Sequence, residues 1–126
     1  MSADGLSGLR VLLAEDEPHV QMLIEDFLVG LGCKVQAVST FDAALRAARE
    51  ADVDVAVLDV NLNGQQSFPA AEALAERHIP FVLSTGYASQ GIQAAWKDRP
   101  WLQKPFIIEQ LTQALRTALK SRGAAR

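Results

Sequence analysis

Two apolar runs in this sequence end on carboxylates: Leu9 to Ala14 stops at Glu15-Asp16-Glu17, and Val53 to Leu58 delivers Asp59. A third run, Phe81 to Ser84, ends on Thr85-Gly86, and the short Trp101-Leu102-Gln103 ends on Lys104-Pro105. If these runs are strands of one sheet, Glu15, Asp16 and Asp59 gather in one crevice, where like charges repel unless a cation or protons sit among them. Oxygen ligands, with no His or Cys placed to help, suit Mg²⁺ better than a transition metal. Thr85 adds a hydroxyl, Gly86 leaves space beside it, and Lys104 adds an ammonium. A metal, an ammonium and a hydroxyl donor around one carboxylate form a cradle for the oxygens of a phosphoryl group, with Asp59 as the nucleophile. Blander readings stand beside this one. Asp59-x-Asn61-x-Asn63-Gly64 is good turn chemistry, and Glu15 and Glu17 suit a solvated acidic rim at a helix N-terminus. The rim serves Asp16 and Asp59 together less well.

The stretch Val53 to Asn61 is, apart from Asp54, an apolar, β-branched run up to its acid, the pattern of a central strand covered on both faces. Proline at Pro18 suits the first turn of a helix. Val20, Leu23, Ile24, Phe27, Leu28 and Leu31 then make one apolar helical face, ended by Gly30 and Gly32. Lys34 to Val38 alternates as a strand, and Ser39 or Thr40 can cap a helix that turns Phe41, Ala44, Leu45 and Ala48 inward as far as about Ala51. Ser67-Phe68-Pro69 reads as the cap and first turn of a third helix ending near Arg77. A fourth holds Ile92, Ala95 and Trp96, and a last one holds Ile108, Leu111, Leu115 and Leu119. The alternation predicts an α/β fold, a doubly wound five-stranded parallel sheet of order 2-1-3-4-5, flavodoxin-like (βα)5, with right-handed crossovers. That order, and its ligand crevice between strands one and three, are taken over from doubly wound proteins already known.

At 126 residues the chain fits one domain with a real core. The domain is expected over 9–120, after a flexible 1–8 and before a polar tail, 121–126, with no output domain. Hydrophobic residues at 49% and charged ones at 21% describe a globular chain. A net charge of −3 argues against DNA as a partner. No apolar run is long enough to span a bilayer, and Met-Ser-Ala-Asp-Gly lacks the regions of a signal peptide, so a cytoplasmic location without membrane attachment is expected. Cys33 stands alone between Leu31 and Val35 and reads as a buried, inert thiol. No G-x-G-x-x-G or Walker pattern follows any strand. His19 and His78 are isolated on helices and are not expected to be phosphodonors.

Taken in order, the acidic pair after strand one, the lone Asp59, Thr85 and Lys104-Pro105 resemble the receiver domain of bacterial two-component response regulators, from about Leu9 to Leu119. The resemblance implies that Asp59 accepts a phosphoryl group from a histidine kinase or histidine phosphotransfer protein. It also implies Mg²⁺ held by Asp16, Asp59 and the backbone carbonyl of Asn61, with Glu15 helping through water. Thr85 and Lys104 would bind the phosphoryl oxygens, and Thr85 with Trp101 would form the switch. Such a domain is not an enzyme; it assists its own phosphorylation and dephosphorylation and signals by altered protein binding, and a phosphorylation-dependent homodimer is compatible with it. Thr85-Gly86-Tyr87 is similar to a single-domain branch from alphaproteobacteria. The rival on the same fold is a phosphorylation-independent adaptor, or a phosphate sink. A haloacid-dehalogenase-like phosphatase fits less well, because Asn61 stands where its second acid belongs. Two departures mark this chain: Asn63 and Ser67 stand where many receivers carry proline and glycine, and Trp101 replaces the usual Tyr or Phe.

Overall fold

The computed structural model describes residues 6–86, 96 and 99–124. The elements run β1 (Arg10–Ala14), α1 (Pro18–Gly30), β2 (Lys34–Val38), α2 (Phe41–Glu50), β3 (Val55–Asp59), β4 (Asn61–Leu62), β5 (Gln65–Gln66), α3 (Phe68–Glu76), β6 (Phe81–Thr85), β7 (Trp101–Gln103) and α4 (Ile108–Ala124). Five strands form a parallel sheet in the order β2-β1-β3-β6-β7, which is the predicted order, while β4 and β5 make a separate antiparallel hairpin. Strand β3 lies at the centre and is buried throughout. Its side chains alternate between two cores, as strand geometry requires. Ala56 and Leu58 face α2 and α3, among Ala44, Ala48, Ala71 and Leu74. Val55 and Val57 face α1 and α4, among Ile24, Leu28, Leu111 and Leu115. Each large side chain removed from water in this way contributes ~1.5–3 kcal/mol, and with both faces covered a one-residue slip of β3 would exchange its two sets of core contacts.

Local chemistry accounts for the helix starts. Pro18 occupies the first turn of α1 behind Glu17, whose side chain accepts from the His19 N–H at 3.4 Å. Thr40 caps α2 through a bond from the Ala43 N–H at 3.1 Å. Gly32 takes φ +91°, and an added Cβ there would strike Ser7 Oγ at 2.7 Å, so the turn from α1 into β2 needs glycine. At the far end of the sheet, Arg10 grips Asp54 by a two-pronged contact, Nε to Oδ2 at 3.2 Å and Nη2 to Oδ1 at 3.0 Å, and also pairs with Asp52. Among the described residues no helix is long and apolar enough to cross a membrane.

Several expectations are corrected. Leu6 is buried beside Cys33, whose thiol reaches the Leu6 carbonyl at 3.4 Å, and the Gly8 N–H donates to Gly32 at 2.7 Å. The N-terminal segment therefore joins the core from Leu6 onward instead of fraying to Gly8. Burial pushes the Cys33 thiol pKa up, in keeping with an inert group. Leu23, predicted to face inward, is 51% exposed beside exposed Met22. The last helix continues past Leu119 to Ala124. The predicted fourth helix, with Ile92 and Ala95, and Tyr87 of the Thr-Gly-Tyr loop lie outside the described residues. Trp96 packs on the α2/α3 core edge-to-face with Phe81, ring centroids 5.7 Å apart.

Candidate functional site

The C-terminal ends of β1, β3, β6 and β7 bring Glu15, Asp16, Asp59, Thr85 and Lys104 to one edge of the sheet. The backbone fixes each of them. The Glu15 N–H donates to the Val38 carbonyl at 3.1 Å, and Gln21 of α1 donates its amide to the carbonyls of Glu15 at 3.0 Å and Val38 at 2.9 Å. The Lys104 N–H donates to the Thr85 carbonyl at 2.8 Å, and the following peptide bond to Pro105 is cis. The Lys104 ammonium then reaches back across the crevice, 2.8 Å from Asp59 Oδ2 and 3.1 Å from Glu15 Oε1.

Asp59 is 3% exposed and Glu15 1% exposed, so these charges meet in a low-dielectric setting where pairing is strong and solitude costly. Burial, and then the charge of Asp59, raise the Glu15 pKa to about 7, against the Glu17 N–H and Lys104, which work to lower it. Burial also disfavours the Lys104 ammonium. Its hydrogen bond to Asp59 and the charges of Asp59 and Glu15 outweigh that, and its pKa is raised. Thr85 is buried at the end of β6. Glu15 is thus a paired group of the crevice and no part of a solvated rim, whereas Glu17 is exposed and caps α1.

Glu15, Asp16 and Asp59 each offer an oxygen, and these lie within 4.8 Å of one another. An octahedral Mg²⁺ holds its oxygens about 3 to 4 Å apart, so small rotations would close the set around it. Three acidic side chains share one ammonium here, that of Lys104, which reaches Glu15 and Asp59. The donor set therefore fits a hard divalent cation.

Two parts of the site escaped the sequence reading. The first is Ser67, predicted as a helix cap. It occupies the cap position but makes no cap bond; its buried hydroxyl donates instead to the Asp59 carbonyl at 2.5 Å, and its N–H to the Val60 carbonyl at 2.8 Å. With φ −88° it has no need of glycine. The second is the β4–β5 hairpin, turned at Asn63 (φ 54°) and Gly64 (φ 85°). Asn61 donates its N–H to Asp59 Oδ1 at 3.1 Å, and Asn63 donates its N–H to Asp16 Oδ2 at 2.8 Å. Trp101, on edge strand β7, points outward and is 36% exposed. His19 and His78 are exposed, and neither belongs to the Glu15, Asp16 and Asp59 cluster.

The Glu15 shift sets a pH dependence. Its folded pKa of about 7 exceeds the ordinary 4.5, so the folded protein binds this proton more tightly than the unfolded chain. Stability from this source is complete below pH 4.5 and is lost as pH rises through about 7, by at most about 3 kcal/mol. Urea unfolding in chelator should show metal-free protein weakening over that window, and Glu15→Gln should flatten the slope. A slope unchanged in the variant would assign it to another group.

A family profile described as the response regulator receiver domain matches residues 11–116. Transcriptional regulatory protein TcrA of Mycobacterium tuberculosis is 32% identical over 123 residues, covering 94% of this chain and 48% of TcrA. Sensor histidine kinase GacS of Pseudomonas protegens is 32% identical over 133 residues, covering 93% of this chain and 14% of GacS. The chain thus spans about half or less of the length of these curated relatives. Among solved structures, SdrG from Sphingomonas melonis matches with TM-score 0.80 and 43% identity over 90% of this chain and 97% of that one. The receiver domain of sensor histidine kinase PA1611 from Pseudomonas aeruginosa, described with magnesium coordinated in its active site cleft, matches with TM-score 0.75 and 26% identity over 90% and 99%.

Proposed function

Since this chain belongs to the response regulator receiver family, we propose that it accepts a phosphoryl group on Asp59 from a histidine kinase or histidine phosphotransfer protein and signals through altered protein binding. The observation that carries this reading is the buried Asp59 carboxylate held by Lys104 at 2.8 Å within a cluster of acids. Asp16, Asp59 and the Asn61 carbonyl would hold Mg²⁺, with Glu15 through a water. When bound, the ion supplies positive charge to the phosphoryl oxygens.

The chain's own groups do the rest. An oxygen of Asp59 forms the new P–O bond as the P–N bond of the donor phosphohistidine breaks, and the departing imidazole takes its proton from solvent. Lys104, already aimed at Asp59, offsets charge on the transferring group. Thr85, at the end of the neighbouring strand β6, supplies a hydroxyl to the phosphorylated state. The domain promotes its own modification and hydrolysis without turning over a separate substrate. Incubation with a small acyl phosphate and Mg²⁺, followed by intact mass measurement, tests this. Wild type should gain one phosphoryl mass and Asp59→Asn none; a wild type that stays unlabelled under a competent donor would leave the adaptor reading.

The outward Trp101 gives the reading a conformational consequence. A dianionic group on Asp59 makes charge-assisted bonds to Lys104 and the Thr85 hydroxyl, and drawing Thr85 toward it opens room for the indole. Trp101 fluorescence should therefore shift on adding a phosphoryl mimic with Mg²⁺, since its ring leaves solvent. Trp101→Phe should lose most of the shift. Trp96→Phe should keep it, because Trp96 is already packed on Phe81. A shift that survives Trp101→Phe would mean that the aromatic does not follow the phosphoryl group.

A further inference from the structure

We propose that the β4–β5 hairpin is a positioning device for the divalent-cation site, in which the backbone N–H of Asn63 holds Asp16, a bond open to this chain because position 63 is not proline. The proposal rests on the receiver reading of the same site. Asn63 and Asp16 are 47 residues apart, and the 2.8 Å bond between them is charge-assisted. The hairpin delivers that amide by its own geometry. Asn61 pairs with Gln66 and Leu62 with Gln65, leaving Asn63-Gly64 as a turn with both residues at positive φ, the twist that suits a two-residue connection. Leu62 is fully buried among the residues facing α2 and α3 and anchors the hairpin from below. Asn61 Oδ1 accepts from the Gly64 N–H at 2.8 Å, and Asn63 Nδ2 reaches the Ser39 carbonyl at 3.5 Å, so the turn is braced on both sides.

The same hairpin holds Asp59, through the Asn61 N–H at 3.1 Å. One short hairpin therefore holds carboxylates that arrive from two different strands, Asp16 after β1 through its turn and Asp59 at the end of β3 through its first strand. Their separation is set before a cation arrives, which lowers the reorganisation that binding requires. The two N–H groups also offset part of the repulsion between the acids. Proline at position 63 would remove the donor, and its ring would exclude a φ of 54°.

The test is calorimetric titration with Mg²⁺ of the full chain, as wild type, Asn63→Gly, Gly64→Ala and Asn63→Pro. Asn63→Gly keeps the N–H and permits the turn, so its Kd should stay within about threefold of wild type. Gly64→Ala strains the turn but keeps the Asn63 donor, and should lose less than Asn63→Pro, which should weaken binding about tenfold or more, as loss of a partner that orients a metal ligand does. Equal losses in the last two would assign the effect to turn strain and overturn the latch, and so would a proline variant that binds as wild type does. In wild type the Asn63 amide resonance should move with Mg²⁺ at the same Kd; an unmoved amide overturns the proposal even if the proline variant does not fold. A wild type that binds no Mg²⁺ would instead defeat the underlying receiver reading.

Discussion

Lys104→Met should destabilise the metal-free protein by about 2 to 3 kcal/mol at pH 8 and slow phosphoryl transfer to Asp59 by about 100-fold or more. Methionine keeps most of the apolar stem and removes only the ammonium, so packing changes little. What remains is Glu15 and Asp59, both buried and both acidic, with their shared partner gone. Breaking a fully buried pair costs ~3–5 kcal/mol. The figure here is set lower because the Lys104 side chain is 22% exposed and because Glu15 can take up a proton in place of the cation. That escape gives the variant its own signature. Glu15 already titrates at about 7 with Lys104 present, and without it the value must climb further. The stability gap between variant and wild type should therefore narrow as pH falls from 8 to 5.5. Urea unfolding at the two pH values reads the first effect, and the rate of labelling by a small phosphodonor reads the second. Equal stability at pH 8 would mean that the contacts of Lys104 with the two acids carry no net energy.

Asp16→Asn should weaken Mg²⁺ binding by about 30-fold or more while raising metal-free stability by about 0.5 to 1 kcal/mol. The opposite signs come from one cause. Asp16, Glu15 and Asp59 present oxygens within 4.8 Å of one another, which suits a cation and is unfavourable without one. The amide oxygen of asparagine can still accept the Asn63 N–H that now reaches Asp16 Oδ2 at 2.8 Å, so the hairpin stays in place and only the charge is lost. At a concentration that saturates wild type, the stabilisation gained from Mg²⁺ should be smaller in the variant by about 2 kcal/mol, the equivalent of thirtyfold. Thermal unfolding with and without Mg²⁺ measures both signs together. If the variant retained wild-type Mg²⁺ stabilisation, the cation would bind elsewhere.

The sheet and its carboxylates were legible because their signals are periodic or terminal. Buried β3 reads as an unbroken apolar run up to its acid, and the strands of the crevice end on the residue that matters, Asp59 or Thr85, or directly before it, as at Glu15 and Lys104. What was not legible depends on partners distant in sequence or on elements too short to have a period. Strands β4 and β5 have two residues each, so no alternation could reveal them, although Asn63-Gly64 is the dipeptide that a tight hairpin favours. Ser67 ahead of Phe68-Pro69 had the local marks of a cap, but the carbonyl of Asp59 claimed its hydroxyl. Leu23 fits the helical spacing, yet it falls beyond the arc of α1 that meets the sheet and remains exposed. Leu6 looked like part of a polar leader, and only the pocket beside Cys33 shows why it is buried.

The central claim is that Asp59 itself carries the phosphoryl group, and borohydride trapping tests it most directly. Reduction of an aspartyl phosphate releases phosphate and leaves homoserine, which peptide mass spectrometry can place on one residue. After incubation with a small acyl phosphate and Mg²⁺, the predicted result is homoserine at position 59 in wild type, and at no position in the Asp59→Asn variant or in protein kept in chelator. Homoserine at Asp16 or at another acid, with position 59 unmodified, would contradict the account.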